Sequence, residues 1–198
     1  MTPETIMLKG ELPLYFPHRE KLQAGDLLQW RSETPLGWAI RFARKVRTAI
    51  GALWHLKWVW PEIRDNHSSW VVKEPYHQDT SRRYHCESVS RGLTLRILSD
   101  RLMEHKGKVW WHPLLAGHSH ARDCMSRWGY DNQDLGYDFL SIFKQIYRGV
   151  KVGTSRVFCS ESVCAVVRDC GLTENKKALP PDMMLGLGLW QKKGVRIK

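Results

Sequence analysis

The sequence predicts an α+β fold, a small antiparallel sheet with one cysteine-bearing helix packed against it. Short runs of β-branched and aromatic residues cluster in the middle of the chain, between Trp70 and His112, with Gly92, Gly107 and Pro113 as punctuation. Stretches with helical spacing lie on both sides of that β-rich middle. The apolar pair Val157-Phe158 then runs directly into an amphipathic segment that begins at Cys159. Strands in succession, bracketed by helices, indicate segregated layers rather than alternating βαβ units.

Taken in order, residues 1 to 21 form an irregular, Pro-punctuated start, and residues 22 to 190 read as one domain. Residues 26 to 30 read as a strand. Leu36, Ile40, Ala43, Val46 and Ile50 recur at helical steps, which predicts a helix over residues 36 to 50. Strands are expected over residues 70 to 73, 83 to 89, 94 to 97 and 109 to 112. Leu135, Phe139, Ile142, Phe143 and Ile146 predict a second helix over residues 135 to 147. A third follows Cys159, where Val163, Val166, Val167 and Cys170 repeat at three- and four-residue steps. Gly171, Pro180 and Pro181 end the regular region, and the basic residues 191 to 198 are expected to be a loose tail.

The chemistry of the chain centres on Cys159. In the first turn of a helix, unpaired N–H groups and the positive end of the dipole favour a thiolate over a thiol. His67, at the start of the run Ser68-Ser69-Trp70-Val71-Val72, is a candidate base. The polar, Pro-containing stretch from residue 75 to 81 reads as a hairpin connection, and pairing the flanking runs symmetrically about Gln78 puts Glu87 diagonal to His67 on one face. Cysteine, histidine and carboxylate would then be nucleophile, base and orienter, with the backbone N–H of Cys159 available to an oxyanion. His85 is the rival for the orienting role. The ordinary alternative for Cys159 is a buried structural thiol.

At these residues the chain resembles a known family. Gly25-Asp26-Leu27-Leu28-Gln29-Trp30, Asn66-His67-Ser68, the strand glutamate, Leu135-Gly136-Tyr137-Asp138-Phe139 and Phe158-Cys159-Ser160-Glu161-Ser162-Val163 occur in the order seen in the circularly permuted, YiiX-like branch of the NlpC-type papain-like fold. The resemblance spans roughly residues 22 to 172. It implies a single papain-like catalytic domain, with Cys159 as nucleophile, His67 as general base and Glu87 as the third polar residue. It implies a cysteine-dependent amidase or peptidase working through an acyl-enzyme, of the kind that bacteria or phages use on cell-wall peptides. Relatives of the lecithin:retinol acyltransferase type extend the expected substrates to lipid acyl groups. Ser68-Ser69-Trp70 departs from the small apolar pair and Gly usual after the histidine.

Composition narrows the class. A chain of 198 residues, 42% hydrophobic, can bury a sizeable core as one domain. No apolar run approaches bilayer length, and Met1-Thr2-Pro3-Glu4-Thr5 lacks a secretion-signal layout, so the expected setting is cytoplasmic. Five cysteines, an odd number without CxxC spacing, suit a reducing compartment better than a disulfide framework. His112, His118, His120 and Cys124 lack the spacing of a common structural zinc motif, and the loop at residues 130 to 134 lacks the glycine and terminal glutamate of an EF-hand. No metal or organic cofactor is implied.

A net charge of +11 calls for an anionic partner, with nucleic acid as the default. The charge is uneven, however. Between Glu33 and Glu62 there is no acidic residue, and Arg41, Arg44, Lys45, Arg47 and Lys57 alternate with Trp38, Phe42, Trp54, Trp58 and Trp60 among other apolar residues. That pattern fits a helix on an anionic membrane surface, a substrate wall beside the cleft, or an ordinary solvated helix. The competing class to an enzyme is a basic module that keeps the fold and holds a membrane or nucleic acid with an idle triad.

Overall fold

The computed structural model describes residues 10–53, 63–73, 82–133, 135–138, 150–151 and 157–198. Six strands make the main sheet: β1 (Leu27–Ser32), β2 (His67–Val72), β3 (Tyr84–Val89), β4 (Gly92–Ile97), β5 (Gly107–His112) and β8 (Val195–Arg196). Their order is β4-β3-β2-β1-β5-β8, and every pairing is antiparallel. A separate ribbon pairs β6 (Val150–Lys151) with β7 (Lys177–Ala178). Among the described residues the α-helices are α1 (Pro35–Leu53), α2 (Leu98–Glu104), α3 (Arg122–Asp131) and α4 (Cys159–Asp169). The α+β class with a helix-backed antiparallel sheet is the one the sequence predicts.

Alternation along the strands divides the core in two. One face carries Leu27, Trp70, Val72, Cys86 and Leu93, packed on Val163, Cys164, Val166 and Val167 of α4 and on Met125, Met184 and Trp190. The other carries Leu28, Trp30, Val71, Val109 and Trp111, packed on Leu98 and Leu102 of α2 and on Leu12, Tyr15 and Leu22. Each fully buried aliphatic side chain contributes about 2 kcal/mol, so both layers hold the sheet in place. Trp70 stands opposite Cys86 and Val71 opposite His85, which is the register centred on Gln78. The two-residue turn into β4 ends at Gly92, whose φ of 104° is open to glycine, and a Cβ there would lie 2.4 Å from the Leu135 carbonyl oxygen.

Asp26 shows why an acid precedes β1. Its carboxylate is buried, accepting from the Trp111 indole at 2.8 Å, the Leu114 N–H at 3.0 Å and Arg122 at 2.8 Å. It is a latch between β1, β5 and α3, with no part in the cleft.

Three expectations need correction. Residues 191 to 198 are not a loose tail: β8 pairs with β5, Ile197 is fully buried, and Lys198 Nζ donates to the Leu102 carbonyl. The apolar Val195 and Ile197, alternating with Arg196, outweigh the surrounding charge. Cys124 on α3 and Cys170, the C-cap of α4, form a disulfide, against the reading of five reduced thiols. Of the helix expected over residues 135 to 147, residues 135–138 are extended, because the Leu135 and Gly136 carbonyls accept from Leu93 and Val157. The remainder lies outside the described residues.

Candidate active site

Cys159 is the first residue of α4, after Phe158 in an extended conformation. Glu161 accepts the Phe158 N–H at 3.3 Å and Ser162 Oγ donates to the Cys159 carbonyl at 2.8 Å, so local bonds fix where the helix begins. As the first helical residue, Cys159 has an N–H with no intrahelical acceptor. Its sulfur lies near enough to the His67 side chain, and to the backbone N–H groups of Ser68 and Ser160, for each to favour the thiolate.

His67 opens β2 beside that sulfur. Its Nε2 lies 2.8 Å from Glu87 Oε2, which leaves the Nδ1 edge of the ring for Cys159. The imidazole thus has a sulfur on one edge and a carboxylate on the other. Glu87 is fully buried on β3, and its second oxygen receives Arg101 Nε at 2.7 Å, with Arg96 Nη1 at 3.8 Å. Arg101 also lies over the Trp30 ring, 5.1 Å from its centroid. A buried carboxylate needs such partners to stay ionised.

Electrostatics follow from these contacts. Burial raises the Cys159 thiol pKa, but the His67 charge and hydrogen bond, with the two backbone N–H groups, outweigh it and bring it below the ordinary value. Burial also opposes protonation of His67, yet the Cys159 sulfur and then Glu87 raise its pKa to about 9. Glu87 is held well below the usual carboxylate range: burial pushes it up, and His67, His85 and Arg101 more than reverse this. The arrangement favours a thiolate–imidazolium pair over two neutral groups. Cys164, one turn further along α4, is a control within the same helix, for its burial raises the thiol to about 11.

His85 does not touch the catalytic edge of His67. Its Nδ1 bonds Ser69 Oγ at 3.2 Å, its Nε2 stands 4.0 Å from Glu87, and burial holds it neutral with a pKa lowered to about 4. The residue in contact with His67 is Glu87. Arg96 and Arg101 are the parts sequence reasoning missed. The signal was present in Arg96, directly opposite His85 in the β3–β4 pairing, once Glu87 is taken as buried.

A cleft of roughly 150 Å³ opens on the pair, lined by Ile40, Arg41 and Arg44 of α1, by Asp65, Asn66 and His67, and by Tyr137, Phe158, Cys159 and Pro181. Arg41 donates to the Ser32 carbonyl and Arg44 pairs with Asp182 at 2.5 Å, so both serve the cleft wall. Trp54, Trp58 and Trp60 lie outside the described residues. Of the histidine–cysteine set considered for zinc, His112 bonds the Gln191 carbonyl at 2.9 Å and Cys124 is in the disulfide.

A helix that begins with cysteine, packed on an antiparallel sheet whose earlier strands carry histidine and glutamate, is an α+β arrangement with a counterpart among solved structures. One solved structure it resembles is the crystal structure of metalloprotein YiiX (DUF1105) from Escherichia coli O157:H7. The TM-score is 0.54 at 18% identity, over 77% of this chain and 68% of that one. That likeness is one of fold. No family model matches the sequence, and no curated protein does.

Proposed function

We propose that this protein is a cysteine hydrolase that works through an acyl-enzyme at Cys159. The observation that carries the reading is His67, which lines one cleft with Cys159 and bonds the buried Glu87 carboxylate at 2.8 Å. The thiolate attacks an amide or ester carbonyl, forming a C–S bond as the carbonyl π pair moves to oxygen. The Cys159 N–H stabilises that oxyanion. Protonated His67 gives its proton to the leaving amine or alcohol as the C–N or C–O bond breaks. Neutral His67 then takes a proton from water, whose oxygen attacks the thioester carbonyl; the C–S bond breaks, the acid leaves and the thiolate–imidazolium pair is restored. Glu87 keeps the ring oriented and stabilises its charged form. Peptide, glycopeptide and lipid acyl groups all present the required carbonyl.

YiiX is described as a metalloprotein. Among the described residues of this chain no three His, Cys, Asp or Glu side chains gather as ligands. Both Glu87 oxygens are engaged, one by His67 and one by Arg101, and the neighbouring guanidiniums oppose a cation. The residues do not fit a metal centre, and no step is routed through one.

The test is turnover of a panel of muropeptides, peptide amides and acyl esters by the wild type and by Cys159→Ala and His67→Ala. We expect hydrolysis that both substitutions abolish while circular dichroism stays unchanged. Turnover that survives Cys159→Ala, or none by the wild type on any member, would favour the idle-triad module.

A further inference from the structure

Helix α1 turns one side to the cleft and the other to solvent, and the solvent side is not polar. Trp38 and Phe42, one turn apart, stack with centroids 5.1 Å apart and planes at 10°. They remain 60% and 45% exposed. Paired aromatics left uncovered in this way mark a surface that meets something apolar. The pair borders a groove of roughly 240 Å³, separate from the catalytic cleft, that Arg31, Arg41, Lys45 and Arg64 also line. Among the described residues no carboxylate lines it. Glu33 and Asp65 are the acids that act on Arg41, and Asp65 is engaged by Arg64 at 3.2 Å. The buried Nε of Arg31 has no hydrogen-bond partner.

Aromatics at the centre of a cationic ring suit a surface that is negative outside and apolar beneath. A second copy of this chain fits poorly, because a self-complementary contact would bring the same cations face to face. Nucleic acid fits the charge but not the rings, since Trp38 and Phe42 stack on each other and leave less face for a base. We infer that the Trp38–Phe42 face of α1, with Arg31, Lys45 and Arg64 around it, docks the protein on an anionic phospholipid bilayer. The two rings enter the headgroup boundary and the cations meet lipid phosphates. Ile40 and Arg44 on the same helix wall the cleft, so docking brings that cleft to headgroup level. The inference goes beyond the thiol chemistry and stands or falls separately from it.

The experiment is flotation with vesicles of phosphatidylcholine and of an equimolar phosphatidylcholine–phosphatidylglycerol mixture. Binding to the anionic vesicles alone, released by salt, is expected. Trp38→Ala combined with Phe42→Ala should weaken it about tenfold or more, and Lys45→Glu should also weaken it. Trp38→Phe should retain binding but lose most of the fluorescence quenching produced by bromine-labelled acyl chains. Four results would overturn the inference: no binding by the wild type, equal binding to both vesicles, tight duplex DNA binding with vesicles ignored, or a wild-type dimer that the double substitution splits. The conservative Trp38→Phe variant keeps the test valid if the double variant fails to fold.

Discussion

Nε2 of His67 and Oε2 of Glu87 meet at 2.8 Å between neighbouring strands β2 and β3 although the residues are diagonal in register. Diagonal neighbours are within reach of long side chains, and the ladder fixes their separation more firmly than a loop could. The imidazole and the carboxylate are therefore both held by the sheet.

Glu87→Gln should keep the fold and lower kcat/KM about a hundredfold, because the amide still bonds the ring but no longer stabilises its charge. The pH profile carries a second signature. His67 is raised from 6.5 to about 9, so the protonated ring is favoured in the folded protein. Its contribution to stability and to the ion pair is fully present below pH 6.5 and is lost as pH rises through about 9. The alkaline limb of activity should thus fall near pH 9, as a property of the coupled pair, and move down in Glu87→Gln. A limb that stays in place would remove Glu87 from this role.

Iodoacetamide should label Cys159 first near neutral pH. The burial-raised thiols of Cys86 and Cys164 should lag by orders of magnitude, and Cys124 and Cys170 should not react without reduction. His67→Ala should slow the Cys159 reaction. Peptide mapping after timed labelling reads all of these outcomes.

Arg101→Met should destabilise the protein by about 3 kcal/mol, since it strands a buried carboxylate that Arg101 meets at 2.7 Å. Adding Glu87→Gln should recover much of that loss by removing the uncompensated charge. Denaturant melts of the two single variants and the double variant give the coupling directly. Additive effects would mean that Arg101 does not act through Glu87.

Cys124→Ser with Cys170→Ser opens a link between residues 46 apart in sequence and should cost roughly 3 kcal/mol of stability. The bond ties α3 to the far end of α4, so Cys159 alkylation should keep its rate. A large change in that rate would show that the disulfide sets the position of the helix start.

The fold and the central trio were legible because each rested on pattern. Two apolar runs about a Pro-containing turn fix a hairpin register, and an apolar helix face locates the residue at its start. What escaped depended on partners distant in sequence. Arg101 sits on the seven-residue α2, too short for its periodicity to stand out, and its value lies in a buried carboxylate on another strand. Cys124 and Cys170 have no diagnostic spacing, and only the packing of α3 on α4 brings them together. Residues 191 to 198 look solvated by charge, yet alternation of Val195 and Ile197 with Arg196 is a strand pattern whose edge β5 was available to receive it.

The chain order of the site has a consequence for how the protein is made. His67 and Glu87 lie on strands that precede Cys159 in the chain, so synthesis from the N-terminus delivers the imidazole and the carboxylate first. The hairpin that joins them can form from local sequence while the sulfur is still inside the ribosome. When Cys159 emerges, it is an ordinary thiol until α4 docks on the finished strands. On the proposed chemistry, an unfolded or half-made chain carries no activated sulfur, and nascent neighbours are spared its reactivity.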